Sequence, residues 1–367
     1  MSVRYKTSLL AAAVMGLSGG YAFAEAELKT HIGLDLDVSL VHNDHGFDKT
    51  DANKNPPKTA NMASVAYLNF SAEKGKDSIN IYYPLVNNGY TLPAAVGGGT
   101  IDYTSGPETF FWQHQFNEML SFLAGKNYAN IGGYDNKNWV YNSVLIGEYA
   151  TNNAPFGAPV MFQVGANLGT GGAVTLQFFD DVVASDSWTY FSKENKQPAF
   201  SLEWTGTFGP VSPLLQVVKY DGITHSTSLA LGVGVDTAGL TAYLTYAMDT
   251  RQMKTADDKS KDYKHSQISL DVKYNAGMVS PFLIYQKYDV VQPDTDQKGN
   301  LAAGTADDNQ DSLAVGLDIN GVTGDNFAPY LAYKSHSQKV LKDATDIDGS
   351  TETKTQAEII LGVSGAL

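Results

Sequence analysis

The sequence predicts an all-β fold, a closed transmembrane antiparallel β-barrel of about sixteen strands with long loops at one end and short turns at the other. Three observations carry that expectation. Segment after segment places apolar residues on one parity and small or polar residues on the other, the period-two signature of a strand with one oily and one wet face. The connections alternate along the chain, long and polar then short and turn-like. Beyond residue 24 no window is long and apolar enough for a spanning helix, so a membrane-embedded chain of this kind is left with strand closure to satisfy its backbone.

Residues 1–24 have the three parts of a secretory leader: a basic start at Arg4 and Lys6, an apolar run over 9–17, and the small-residue exit Ala22-Phe23-Ala24. Gly16, Ser18, Gly19 and Gly20 interrupt the run and keep it short of a membrane anchor. Cleavage after Ala24 is expected, leaving 25–367 as one barrel domain.

Strands are expected to start near residues 31, 61, 78, 108, 119, 158, 173, 198, 211, 225, 240, 264, 278, 311, 326 and 355. The first interleaves Ile32, Leu34, Leu36, Val38 and Leu40 with Gly33, Asp35, Asp37 and Ser39. Short turns are expected at Gly169-Thr170-Gly171-Gly172, Gly209-Pro210, Asp236-Thr237-Ala238-Gly239 and Asn275-Ala276-Gly277. The acidic stretches 250–263, 289–310 and 338–354 read as loops, with Arg251 in one of them. An internal echo supports repeated hairpins: Val211-Ser212-Pro213-Leu214-Leu215 recurs as Val279-Ser280-Pro281-Phe282-Leu283, and more loosely as Phe327-Ala328-Pro329-Tyr330-Leu331. Proline near a strand start removes a ladder bond that can be spared there. Phe70, Tyr82, Tyr83, Phe116, Phe208, Tyr220, Tyr246, Tyr274, Tyr288 and Tyr333 fall near strand ends, where amphipathic rings suit a membrane interface.

Composition excludes several function classes. There is no cysteine, so no disulfide framework supports an exported chain. Loss of Arg4 and Lys6 with the leader leaves 23 basic against 39 acidic side chains, a formal charge of −16, which disfavours nucleic acid as a partner. His42-Asn43-Asp44-His45 with Asp48 has ligand types but sits in an expected loop with no fixed third ligand, and 343–349 has a calcium-loop composition without its pattern, so no metal is expected. The glycines at 165, 169, 171 and 172 lack the strand-loop-helix setting of a phosphate cradle. The seven histidines occur in no recognised catalytic motif, and neither enzymatic activity nor a cofactor is expected.

Glu108-Thr109-Phe110-Phe111-Trp112, the Phe116-Asn117-Glu118 turn, Leu120-Ser121-Phe122-Leu123-Ala124-Gly125-Lys126, Gly132 and Asn153-Ala154-Pro155-Phe156-Gly157 together resemble a hairpin of the general porins of Gram-negative outer membranes and their phosphate-selective relatives. The resemblance extends over essentially the whole mature chain. It implies that the longest loop, 128–157, folds into the barrel as a third loop and narrows a pore; 139–149 reads as part of that loop, with an extra strand as the alternative. It also implies an outer-membrane location with extracellular long loops and periplasmic turns, and a homotrimer in contact with membrane lipid and lipopolysaccharide. The function implied is a passive diffusion channel for small hydrophilic solutes and ions. Two features depart from the family. The chain ends in Leu367 rather than an aromatic residue, and its mature part has a single arginine, Arg251.

Parity directs Asp35, Asp37, Glu203, Asp271, Asp318 and Glu358 inward, against Lys273 and Lys334. Asp35, Asp37 and Glu203 are expected near mid-height, where the third loop with Asp135, Lys137 and Glu148 approaches. A lumen rich in carboxylates concentrates cations, so a mild cation preference is expected. Lys219 and Lys287 fall on the outward parity near the long-loop rim, within reach of lipid phosphates. A substrate-selective channel, an outer-membrane barrel enzyme and an adhesion barrel with a blocked lumen are the alternatives on the same wall.

Overall fold

The computed structural model describes residues 27–44, 60–88, 107, 109–134, 160–179, 199–221, 225–254, 260–291, 306–320, 327–341 and 351–366. The leader, Asp135, Lys137, Glu148 and the whole of 139–149, His45, Asp48 and 343–349 lie outside the described residues.

Among the described residues sixteen strands follow one another: β1 (Lys29–Asp44), β2 (Ala60–Lys74), β3 (Asp77–Asn88), β4 (Thr109–Gln115), β5 (Leu120–Lys126), β6 (Val160–Asn167), β7 (Ala173–Phe179) and β8 (Ala199–Thr205), then β9 (Val211–Asp221), β10 (His225–Thr237), β11 (Leu240–Lys254), β12 (Ser260–Tyr274), β13 (Val279–Val291), β14 (Ala306–Ile319), β15 (Phe327–Leu341) and β16 (Thr351–Ala366). Each pairs antiparallel with its sequence neighbours, and β16 returns to β1 with Leu361 opposite Leu40, closing the barrel. Closure leaves no strand edge, so each ladder can be satisfied on both sides.

Because pleating sends successive side chains to opposite faces, the two environments alternate along every strand. On β16, Ile359, Leu361 and Val363 are 53%, 57% and 37% exposed on the outside, while Glu358 and Ile360 on the other parity are 3% and 0% exposed on the inside. The outer face of the other strands carries the same kind of residue: Phe162, Leu202, Leu215, Leu231, Leu244, Ile268, Leu313 and Leu331 are all exposed. Such a band is stable only against hydrocarbon.

Most connections at one end of the barrel are tight turns, such as 75–76, 238–239 and 275–278, and most at the other are longer stretches of chain. Pro213, Pro281 and Pro329 are each the third residue of their strand, just above the tight-turn end. The strands run further into the acidic stretches than the sequence suggested. β11 continues to Lys254 and β12 begins at Ser260, so Arg251 belongs to a strand, opposite Ser226 and Tyr263. β13 to β16 likewise extend into 289–310 and 338–354, and His42-Asn43-Asp44 is the end of β1. Once a strand leaves the hydrocarbon its outward parity needs no apolar side chain. The alternation then disappears from the sequence while the backbone ladder continues. Tyr82 and Tyr288 also differ from expectation: the register turns both inward instead of toward the membrane interface.

Between β2 and β3 the register slips at Ala66 and Tyr67, which oppose Val86 and Pro84 and leave Leu85 as a bulge. Proline has no N–H to give to the ladder, and a bulge is where a sheet tolerates that. At the tight-turn rim the Asp77 carboxylate accepts a bond from Trp112 Nε1 (3.0 Å) and pairs with His114 Nδ1 (2.9 Å).

The assignment of faces can be tested directly. Leu231→Arg, mid-strand on the outer face, is expected to lower unfolding stability in lipid vesicles by about 2–4 kcal/mol. Ser78→Lys, on the inner face, is expected to cost less than half as much. Equal losses in urea titrations of the two variants would contradict the assignment.

Candidate functional site

Seven residues of β5 suffice before the chain leaves the wall. Past Asn127, residues 128–134 turn into the barrel and lie along its inner surface. Amide groups on inward positions of successive strands hold this segment. Asn130 N–H donates to Gln177 Oε1 (2.7 Å), and Gln177 Nε2 donates to Tyr128 O (3.2 Å) and to Gln163 Oε1 (2.9 Å). Ser201 Oγ donates to Asn130 O (2.8 Å). Gly133 N–H donates to Gln216 Oε1 (3.0 Å), whose Nε2 donates in turn to Glu203 Oε2 (2.8 Å). Loop backbone that would be orphaned against a wall is thereby satisfied, as burial requires.

Apolar packing adds to these bonds. Ala129 and Ile131 of the loop sit in one buried cluster with Leu123, Met161, Phe179, Val218, Ala230 and Ala247 of the wall. Burying a side chain such as Ile131 contributes about 1.5–3 kcal/mol. The segment then turns on Gly132 and Gly133, with φ of 80° and 68°, a conformation other residues rarely adopt. Tyr134 follows. Its ring lies on Gly232 of β10, where an added Cβ would come within 2.6 Å of it, and beside Tyr243 at 4.9 Å between centroids. Its hydroxyl donates to Ser212 O at 2.6 Å. Burial, with smaller contributions from Tyr243 and Glu203, pushes the Tyr134 phenol up to about 12.

The inner wall is covered unevenly. Gln177, Ser201, Gln216, Thr245, Ser269, Ile284, Ala314, Ala332 and Ile360 all lie four to six residues from the tight-turn end of their strands, and each is buried. At the same level Asp35, Asn69 and Tyr82 are half-exposed, as is Tyr67 one step higher. The accessible arc of the narrow level therefore includes β1 to β3.

The inward acids and bases occupy different settings. Asp35 is half-exposed, opposite Tyr67. Asp37 is two residues further along β1, opposite Ser364 and Val65. Glu203 is buried beneath the loop, and Asp271 is 8% exposed. Lys273 reaches across β13 to Asp318 at 2.5 Å, and Lys334 stands directly opposite Glu358. On the outer face Lys287 pairs with Asp289 at 3.2 Å, and Lys219 is exposed.

Sequence reasoning missed the residues that hold the loop: Gln163, Gln177, Ser201, Gln216 and the small stripe Ala230, Gly232 and Gly234 on β10. Their signal was present. A wall lined by water has no use for Leu123, Met161, Phe179 and Val218 on its inward parity, so those residues mark the footprint of something packed inside.

No family model matches the chain, and no curated protein does. Solved structures do. Over 95% of its length the chain is similar to 99% of OmpF of Salmonella typhi, solved in complex with daunomycin (TM-score 0.61, 13% identity). Over 94% it is similar to the whole of an anion-selective porin from Comamonas acidovorans (TM-score 0.58, 11% identity). Over 93% it is similar to 99% of OmpT, an outer membrane protein of Vibrio cholerae, in trimer form (TM-score 0.57, 10% identity). At these identities the likeness shows the fold, a porin-type barrel.

Two measurements check the loop attachment. Gln216→Leu leaves both Gly133 N–H and Glu203 without this partner, and is expected to cost about 1–3 kcal/mol of stability and to make residues 128–134 susceptible to proteolysis. Unchanged proteolysis would show that the Gln177 and Ser201 bonds and the apolar cluster hold the loop without Gln216. The neutral Tyr134 phenol is the form that the fold favours, so its contribution is complete below the ordinary tyrosine value near 10 and is lost as pH rises through about 12. Difference ultraviolet titration of wild type against Tyr134→Phe is expected to place the missing phenolate near 12; a value near 10 would contradict the buried placement.

Proposed function

We propose that this chain forms a passive diffusion channel for small hydrophilic solutes and ions in a bacterial outer membrane. One observation carries the reading: a closed wall, oily outside, is narrowed from within by its own third loop, yet keeps accessible polar side chains along β1 to β3 at the narrow level. A packed core would bury those residues as thoroughly as the rest. The channel needs no cofactor and performs no chemistry; its work is to replace part of a solute's hydration with fixed polar groups during passage.

The charge layout supports a mild preference for cations. Lys273 offsets Asp318, Lys334 faces Glu358, and Glu203 is covered, whereas Asp35 is a half-exposed carboxylate at the narrow level with Asp37 two residues further along the same strand. Low-dielectric walls focus the field of the Asp35 carboxylate onto the passage. In this reading residues 1–24 are removed during export, and the barrel assembles as a homotrimer like the trimer form of the Vibrio protein. Lys219 and Lys287 near the long-loop rim suit contact with lipid or lipopolysaccharide phosphates.

Planar-bilayer recording of the leader-free protein tests the proposal. Stepwise conductance is expected, with a reversal potential in a salt gradient that favours cations and moves toward zero in Asp35→Asn. A barrel that inserts and never conducts would favour an adhesion role. Conductance with a clear anion preference would retain the channel and overturn its selectivity.

A further inference from the structure

Resting on the channel reading, we propose that the β1 to β3 wall at the narrow level is a contact site for neutral polyhydroxylated solutes, of the class of short oligosaccharides. Tyr67 and Tyr82 come from neighbouring strands and stack with ring centroids 4.5 Å apart and planes 14° from parallel. Both are half-exposed on the inward parity, so the pair borders the passage. The Pro84-Leu85 bulge adjoins the pair, at the point where β2 changes register against β3.

Asn69 lies directly opposite Tyr82, and Ser71 opposite Asn80, so two amides and a hydroxyl continue the same inward face toward the tight-turn end. Asp35 flanks Tyr67 on the other side. A sugar has two kinds of surface. Its C–H faces favour the flat apolar face of an aromatic ring, and its hydroxyls both donate and accept. An asparagine side chain also donates and accepts, whereas lysine only donates and an ionised carboxylate only accepts. The tyrosine pair with its asparagines therefore matches both surfaces of a polyol better than it matches a bare ion.

Among the described residues the site is built from the wall alone. Such contacts hold a solute briefly and release it, which is what conduction requires of a binding site inside a pore. On the far side of β1 the wall has a different character, since Phe282, Ile284, Ala314, Tyr330, Ala332 and Ile360 of β13 to β16 form a buried cluster there. Among the described residues at this level, accessible hydrogen-bonding groups are thus found on the tyrosine side rather than on β13 to β16.

Maltotriose added to the full mature channel in a planar bilayer tests the inference, with polyethylene glycol of equal hydrodynamic size as the comparison. Maltotriose is expected to reduce the ion current with a saturating, millimolar dependence, and the polymer to reduce it without saturation. Tyr67→Phe and Asn80→Ala each remove hydrogen-bonding groups and are expected to raise the half-blocking concentration about 2–10-fold, measured against each variant's own open current. Circular dichroism of the refolded variants reports that the barrel forms. A conducting channel that maltotriose leaves unblocked, or blocks no differently from the polymer, overturns the sugar site and leaves the channel intact. Block that is the same in both variants as in wild type also overturns it. A protein that carries no current before sugar is added overturns the channel reading, and the site falls with it.

Discussion

Closure of the backbone ladder is the constraint on which the rest of the structure depends. A strand in hydrocarbon has nowhere to send an unpaired N–H or C=O, and each such group left open costs several kcal/mol. Joining β16 to β1 removes both edges at once. It also fixes the parity of all sixteen strands together, because a one-residue slip anywhere would turn an apolar row into the lumen and a polar row into lipid. The slip between β2 and β3, at Pro84 and Leu85, adds a residue as a bulge and lets the alternation resume on both sides.

A wall that satisfies itself leaves its interior free to be furnished, and here the furnishing is a segment of the same chain. Residues 128–134 bring backbone donors and acceptors that need partners, and the wall supplies them with glutamines and a serine rather than charges. Gln216 shows why an amide suits the task. It accepts from Gly133 with one end and donates to Glu203 with the other, so a covered carboxylate and a covered N–H are satisfied by one side chain. A lysine in its place would serve Glu203 and leave Gly133 without that acceptor. The small residues of β10 complete the seat, since the ring of Tyr134 occupies space that any side chain at Gly232 would fill.

The wall was legible in the sequence because membrane strands must advertise their two faces. Strand starts read from period two fall within a few residues of those observed, from β1 at Lys29 to β15 at Phe327. Legibility faded where that requirement lapses. Arg251 and His42 looked like loop residues because both faces of a strand beyond the hydrocarbon can be polar, although the ladder continues through them. The loop seat was harder still. Inward Met161, Phe179 and Val218 break the rule that a lumen face is polar, but the sequence does not say which segment covers them; that contact joins residues far apart in the chain and is fixed by the third dimension.

Selectivity is decided at a finer level than the fold. The same barrel shape is shared with a porin described as anion-selective, so the architecture leaves the sign of the preferred charge open. In this chain the balance of inward charges is altered by pairing: Lys273 offsets Asp318 at 2.5 Å, and Glu203 is withdrawn beneath the loop. What remains at the narrow level on β1 to β3 is one carboxylate at Asp35 beside two tyrosines and an asparagine. Under the proposed channel reading, a passage bordered in that way acts on a solute at two ranges: the carboxylate over a Debye length of about 8 Å in physiological salt, the amides and phenols only at hydrogen-bond distance. Under that same reading, solute shape and hydroxyl pattern bear on permeation alongside charge.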